Sequence, residues 1–189
     1  MYQQKPSSKV TQLHTSSAGC TDIGRVRQHN EDTIALCEPH DQGVSTELGW
    51  LYLLADGAGG HAAGEVASQL AVETISSVYY DKTTPTGLSE GDFQSQGVLN
   101  HLDGPFSDLD IPLIQIRKAF FTAHTRIRQL AAQKREYLGM ATTCIAALVK
   151  DTRVLIAHVG DSRAYLIRAP GNSLPTITRL TTDHTMVTE

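Results

Sequence analysis

The stretch Leu53–Glu65, LLADGAGGHAAGE, changes its period halfway along. Upstream of the glycines, GWLYLLAD from Gly49 to Asp56 is nearly continuous apolar and aromatic, as in a buried strand. Downstream, Ala63, Val66, Ala67, Leu70, Ala71, Thr74, Ile75 and Val78 recur at helical spacing. That is one apolar face of an amphipathic helix running from Ala62 to about Tyr80. A strand and a helix are thus joined through glycines, with one carboxylate, Asp56, standing directly before them. Glycine-rich turns of this kind often cradle phosphate, and phosphate is negative. The position of Asp56 therefore needs a reason.

Outward from this stretch the pattern continues. TIALCE from Thr33 alternates polar and apolar and reads as a strand. PHDQGVSTE, residues 39–47, is the loop of a long hairpin between the two strands. A second helix is expected from Ile111 or Pro112 to Arg135, with Leu113, Ile116, Phe120, Ala123, Ile127 and Leu130 on one stripe. Between the helices lies a polar stretch with Pro85, Pro105 and scattered glycines, read as a mobile surface loop near residues 81–110. ATTCIAALV (141–149), RVLIAHVG (153–160), AYLIR (164–168) and TITRL (176–180) read as short strands separated by turns. Strands joined so tightly are antiparallel. The expectation is a layered α+β fold, an antiparallel sheet packed against a helix pair.

The 189 residues suffice for one domain with a real core. A hydrophobic content of 40% with 19% charged residues reads as a globular chain. Net charge of -4 gives no electrostatic reason to expect nucleic acid. Cys20, Cys37 and Cys144 are odd in number and widely spaced, which excludes a disulfide framework and a C-x-x-C metal pair. The N-terminus is polar, so residues 1–17 read as a flexible tail rather than a secretory signal. No apolar run approaches the roughly 18 residues of a membrane helix, so no membrane partner is expected. The expected localisation is cytoplasmic.

Three loops at expected strand ends carry acids beside glycine or asparagine: NED at Asn30–Asp32, DG at Asp56–Gly57 and GDSR at Gly160–Arg163. Each alone is an ordinary turn or cap. If the three meet, their carboxylates repel, and a divalent cation relieves them. Mg²⁺ and Mn²⁺ take oxygen ligands, so Asp56 can hold a metal and the metal can face phosphate. The glycines would let the backbone pass close by and offer the Gly57 carbonyl. The competing reading takes Gly57, Gly59 and Ala62 as a dinucleotide loop. It puts Asp56 beside a pyrophosphate without a screening metal, and no apolar second strand ending in an acid follows the helix. A P-loop fails, since no Gly-Lys-Ser/Thr follows the glycines.

In order along the chain, GRVRQHNED (24–32), LLADGAGGHAAGEVAS (53–68), GMATTCIAALV (139–149), AHVGDSRAYLIR (157–168) and LTTDHTMV (180–187) resemble the metal-dependent serine/threonine protein phosphatases of type 2C, the PPM family, in their bacterial form. The resemblance runs from about residue 18 to the end, so 18–189 is read as an incomplete PPM-type domain. It implies a β-sandwich of two antiparallel sheets flanked by helix pairs. It implies two Mn²⁺ or Mg²⁺ ions at one end, with a third, weaker metal in bacterial members. By motif position Asp56 bridges the two metals, and Gly57 supplies a backbone-carbonyl ligand. Glu31 and Asp32 support the metals directly or through water, Asp161 belongs to the third metal, and Arg27 grips the substrate phosphate. Arg163 is expected to be a salt-bridge partner near its turn. The implied reaction is direct hydrolysis of phosphoserine or phosphothreonine by a metal-activated water. The implied partners are phosphorylated proteins and a counterpart Ser/Thr kinase.

The sequence departs from the family pattern in two ways, at position 58 and in the motifs expected after residue 189. Ala58 stands where bacterial members usually have methionine and eukaryotic ones often a histidine proposed as general acid. His61 is nearby, and a cap or packing role suits it better than proton transfer. The later Asp-Gly and Asp-Asn motifs, which supply further ligands, have no counterpart, because only Glu189 follows Asp183 as an acid. Met1 is read as a natural start and the end as premature. A fragment, a pseudophosphatase that binds phosphoprotein or metal without turnover, and a protein completed by another chain are all consistent with that ending.

Overall fold

The computed structural model describes residues 15–38, 48–59, 62–81, 110–169, 171 and 174–184. In chain order the elements are β1 (Asp32–Cys37), β2 (Trp50–Ala58), α1 (Ala62–Tyr80), α2 (Asp110–Gln133), a short 3-10 turn (Arg135–Tyr137), β3 (Ala141–Thr142), β4 (Cys144–Lys150), β5 (Arg153–Val159), β6 (Tyr165–Arg168) and β7 (Thr176–Arg179). The expected mobile loop near 81–110 lies outside the described residues but for its two ends. So do residues 1–14 of the expected tail and the loop at 39–47.

The main sheet is antiparallel in the order β1-β2-β4-β5, with β3 paired to the end of β2. Strand alternation divides its faces. Leu51, Leu53 and Ala55 of β2 point one way with Ala146 and Leu148 of β4, and all are buried against the helices. Helix α1 lies on β1 and β2, and α2 packs on α1. Ile116, Ala119 and Ala123 come from α2, and Val72, Ile75 and Tyr79 from α1, into the same core. The helix stripes were legible in the sequence, but the burial of Ser68, Val72 and Tyr79 was not. Tyr79 is fully buried because its hydroxyl donates to the Leu48 carbonyl at 2.6 Å, which fastens the end of α1 to the start of β2. The remaining strands, β6 and β7, pair with each other as a second antiparallel unit.

Two boundaries differ from expectation in a way that shapes the site. Asp56 was expected where the strand ends, yet β2 continues through Gly57 to Ala58 because these two residues pair with Thr142 and Ala141. The single strand expected over 141–149 is interrupted at Thr143. Leu54 pairs with Ile145 and Gly57 with Thr142, so the register is the same on both sides. The interruption is one of hydrogen bonding: the Asp56 N–H donates to the Thr143 side-chain hydroxyl at 3.2 Å. Helix α2 starts at Asp110, slightly earlier than expected, since Pro112 in the first turn removes an N–H that has no helical partner there. It stops at Gln133, short of Arg135, which opens the 3-10 turn.

Candidate metal and phosphate site

The strand register builds the site. Asp32 of β1 stands directly opposite Asp56 of β2. Both side chains fall on the sheet face turned away from the helices. Opposed residues in an antiparallel pair carry Cβ atoms about 4.5–5.5 Å apart. Two carboxylates are therefore forced together by the backbone. Burial raises the Asp56 carboxyl above its ordinary value, and the charge of Asp32 and a hydrogen bond with it add to the rise. Arg27 opposes the rise and Asp161 reinforces it. The three acidic loops expected to meet do lie within electrostatic reach of one another.

The loop before β1 is shaped by its own polar side chains. Asn30 accepts the Asp32 N–H at 3.0 Å and donates to Thr21 at 2.8 Å. Asp22 accepts the Gly24 N–H at 2.7 Å. Residues 22–27 and 29–32 of this loop, together with Asp56, line an open cleft of about 360 Å³. Arg27 donates to Glu31 within the same loop, Nη1 to Oε2 at 2.6 Å. The Glu31 side chain is 10% exposed and that of Arg27 is 64% exposed, so the carboxylate is the fixed partner and the guanidinium faces solvent.

Gly57 and Gly64 explain themselves by close approach. A Cβ on Gly57 would lie 2.1 Å from the Gly64 carbonyl oxygen and 2.7 Å from that of Glu31. A Cβ on Gly64 would lie 2.8 Å from the Glu31 carboxyl carbon. The Gly57 N–H donates to the Glu31 carbonyl at 3.0 Å. The first turn of α1 thus rests on β2 with Glu31 wedged beside it. That contact is a sufficient reason for both glycines.

Across the sheet, the row Asp32–Asp56 continues to Thr143 and then to Gly160, just beyond β5. Gly160 has φ +97°, and a Cβ there would lie 2.7 Å from the Thr143 methyl. The loop it opens is held from its far side by residues 180–184. Ala164 accepts the Leu180 N–H at 2.9 Å and donates to Thr181 at 3.1 Å. Gly160 accepts the His184 N–H at 3.0 Å. Arg163 grips Asp183 with Nε and Nη2, the latter at 2.7 Å, as expected for a salt-bridge partner, and Arg179 joins the same carboxylate. Their combined pull holds Asp183 below the usual carboxylate range, with the Arg163 hydrogen bond the largest cause. Sequence reasoning singled out neither Thr143 nor Asp183. Thr143 looked like any β-branched strand residue.

The donor set is all oxygen, as a hard divalent cation requires. Mg²⁺ keeps several waters and is held by one or two carboxylates, which the Asp32–Asp56 pair satisfies in kind. Among the described residues, no three His, Cys, Asp or Glu side chains converge tightly enough to form a fuller cage. Glu31 is turned to Arg27 rather than to the two aspartates. His61 lies outside the described residues, and Ala58 offers no proton.

An antiparallel sheet under a helix pair thus sets opposed aspartates beside a cleft that Arg25 and Arg27 line. The protein phosphatase 2C family matches residues 25–188, and the chain belongs to that family. The serine/threonine phosphatase Stp of Listeria welshimeri is 33% identical over 169 residues, 89% of this chain and 54% of that protein. Protein phosphatase PhpP of Streptococcus pneumoniae is 30% identical over 169 residues, 89% of this chain and 55% of that one. The crystal structure of the catalytic domain of the phosphatase PstP, in complex with two manganese ions, superposes with TM-score 0.58 at 31% identity, over 87% of this chain and 54% of that one. The chain thus spans about half the length of the curated relatives it matches. No helix among the described residues is long and apolar enough to cross a membrane.

Proposed function

We propose that this chain carries the phosphate-gripping arginine and the first metal ligands of a metal-dependent protein serine/threonine phosphatase. The observation that carries the reading is the register that sets Asp32 against Asp56 with Arg27 on the same cleft. In this reading Asp56 and Asp32 hold Mn²⁺ or Mg²⁺ together with the Gly57 carbonyl, and Asp161 serves a third ion. Bound there, the ions would neutralise phosphoryl charge and lower the pKa of water towards neutrality. Glu31 holds one terminal nitrogen of Arg27. The remaining guanidinium donors are left to take phosphate oxygens, for which their fork geometry is suited. The open cleft admits a phosphorylated Ser or Thr side chain presented by a protein. The counterpart Ser/Thr kinase and a cytoplasmic setting follow from the same reading.

A second reading has its own support. Glu31 is bonded to Arg27, and among the described residues only Asp32 and Asp56 stand directly opposed at the site. This favours binding of metal or phosphoprotein without turnover. Manganese-dependent hydrolysis of p-nitrophenyl phosphate by the purified chain separates the two. Turnover that disappears in Asp56→Ala supports the enzyme. Metal binding by calorimetry with no turnover above that variant supports the second reading and overturns the first for this chain.

A further inference from the structure

The Asp56 strand and the Gly160–Arg163 loop meet at one side chain that no part of the reaction uses. Thr143 sits in the row Asp32–Asp56–Thr143–Gly160, at the interruption between β3 and β4. Its backbone N–H donates to the Asp56 carbonyl at 2.9 Å. Its hydroxyl lies 3.2 Å from the Asp56 N–H and 2.7 Å from the Ser162 hydroxyl. An N–H can only donate, so the Thr143 oxygen accepts from Asp56, and either hydroxyl can donate in its bond with Ser162. One hydroxyl thus links the Asp56 N–H to Ser162. Meanwhile the Thr143 side chain presses on Gly160, where a Cβ would lie 2.9 Å from the Thr143 Cβ. Thr142 adds a further hydroxyl 3.0 Å from the Asp56 carbonyl.

The consequence is mechanical. Asp56 lies on the second strand of the sheet, and Asp161 lies on the loop beyond β5, two strands away. An ordinary ladder would satisfy the Asp56 N–H with a carbonyl and leave the Gly160–Arg163 loop free to set its own height. Here one hydroxyl serves both, so a shift of Ser162 is felt at the Asp56 backbone.

We infer that Thr143 is a positioning residue: its hydroxyl bridges the Asp56 strand to the Gly160–Arg163 loop and fixes where Asp56 and Asp161 stand relative to each other. Its metal consequence rests on the reading of Asp56 as a metal ligand, while the bridge itself does not. Valine keeps the shape of threonine but leaves the Asp56 N–H and Ser162 without this partner. Serine keeps the hydroxyl and loses the methyl that touches Gly160.

The test has two arms, both on the full chain. Without metal, amide hydrogen exchange at Asp56 is followed by NMR. Protection is expected in the parent and in Thr143→Ser, with exchange at least about tenfold faster in Thr143→Val. Ser162→Ala is expected to shift the Asp56 amide resonance from the other loop. Unchanged exchange in Thr143→Val, or an Asp56 amide blind to Ser162→Ala, overturns the bridge. In the second arm Mn²⁺ is titrated by calorimetry. Thr143→Val is expected to weaken binding about tenfold, as loss of a partner behind a ligand does, with Thr143→Ser close to the parent. Equal weakening in the serine and valine variants would assign the effect to packing and overturn the role of the hydroxyl. A parent chain that binds no Mn²⁺ overturns the metal consequence and the reading of Asp56 as a ligand, and the exchange arm still decides the bridge.

Discussion

Asp32 and Asp56 are opposed by register, with no freedom to move apart while the ladder is intact. Like charges directly opposite on a sheet destabilise it, where favourable pairs there contribute about 0.2–1 kcal/mol. Asp56→Asn removes that repulsion. The metal-free variant is expected to melt at a higher temperature than the parent, while its Mn²⁺ binding is lost. Calorimetry with and without Mn²⁺ reads both effects, and a variant less stable than the parent without metal would show that the pair is already neutralised. Gly57 has the opposite character, since it is fixed by packing. Gly57→Ala would drive a methyl to 2.1 Å from the Gly64 carbonyl, so either β2 or α1 must move. Overpacking of that severity costs about 3 kcal/mol. A urea midpoint unchanged from the parent would contradict the contact.

At the scale of elements, the Gly160–Arg163 loop and the 180–184 segment form one clamp with β5. His158 of β5 stacks on His184, ring centroids 4.5 Å apart. Gly160 also offers its N–H to the His184 ring at 3.4 Å. Burial lowers the His158 pKa from 6.5, the charge of His184 lowers it further, Asp183 opposes this and Arg179 adds to it. A histidine with a depressed folded pKa binds its proton more readily when unfolded, so the unfolded state is favoured as pH falls. Stability is therefore expected to decline as pH drops below about 6.5, with a smaller decline in His158→Phe. Denaturant melts between pH 7.5 and 5 check this, and equal slopes for the two proteins would remove His158 as the cause. The strands of this clamp were legible from their composition. Their mutual grip was not, because Asp183, Arg163 and Arg179 carry no periodic signal that links them.

For the whole molecule, the helix pair covers one sheet face, and the carboxylate row lies at one end of the other. A cation bound to this row joins β1 to β2 through their side chains, so it binds the folded chain and not the unfolded one. Ligand linkage then adds about 2.7 kcal/mol at a hundredfold excess over Kd. The melting temperature is expected to rise with Mn²⁺ concentration and to return on chelation with EDTA. A melting temperature independent of Mn²⁺ would argue against the aspartate pair as a site. The sequence by itself determined the elements, since the alternation of β1, the apolar run of β2 and the three-and-four spacing of α1 and α2 are local signals along the chain. It also singled out Asp32, Asp56 and Asp161, because acids beside glycine or asparagine are visible in one dimension, while Arg27 came from the family resemblance alone. Only the tertiary structure decided that Asp32 faces Asp56, that Glu31 turns to Arg27, and that Thr143 takes the Asp56 N–H. Those outcomes depend on register and on close approach between segments far apart in the chain, and a one-residue slip would have turned every one of these side chains to the other face.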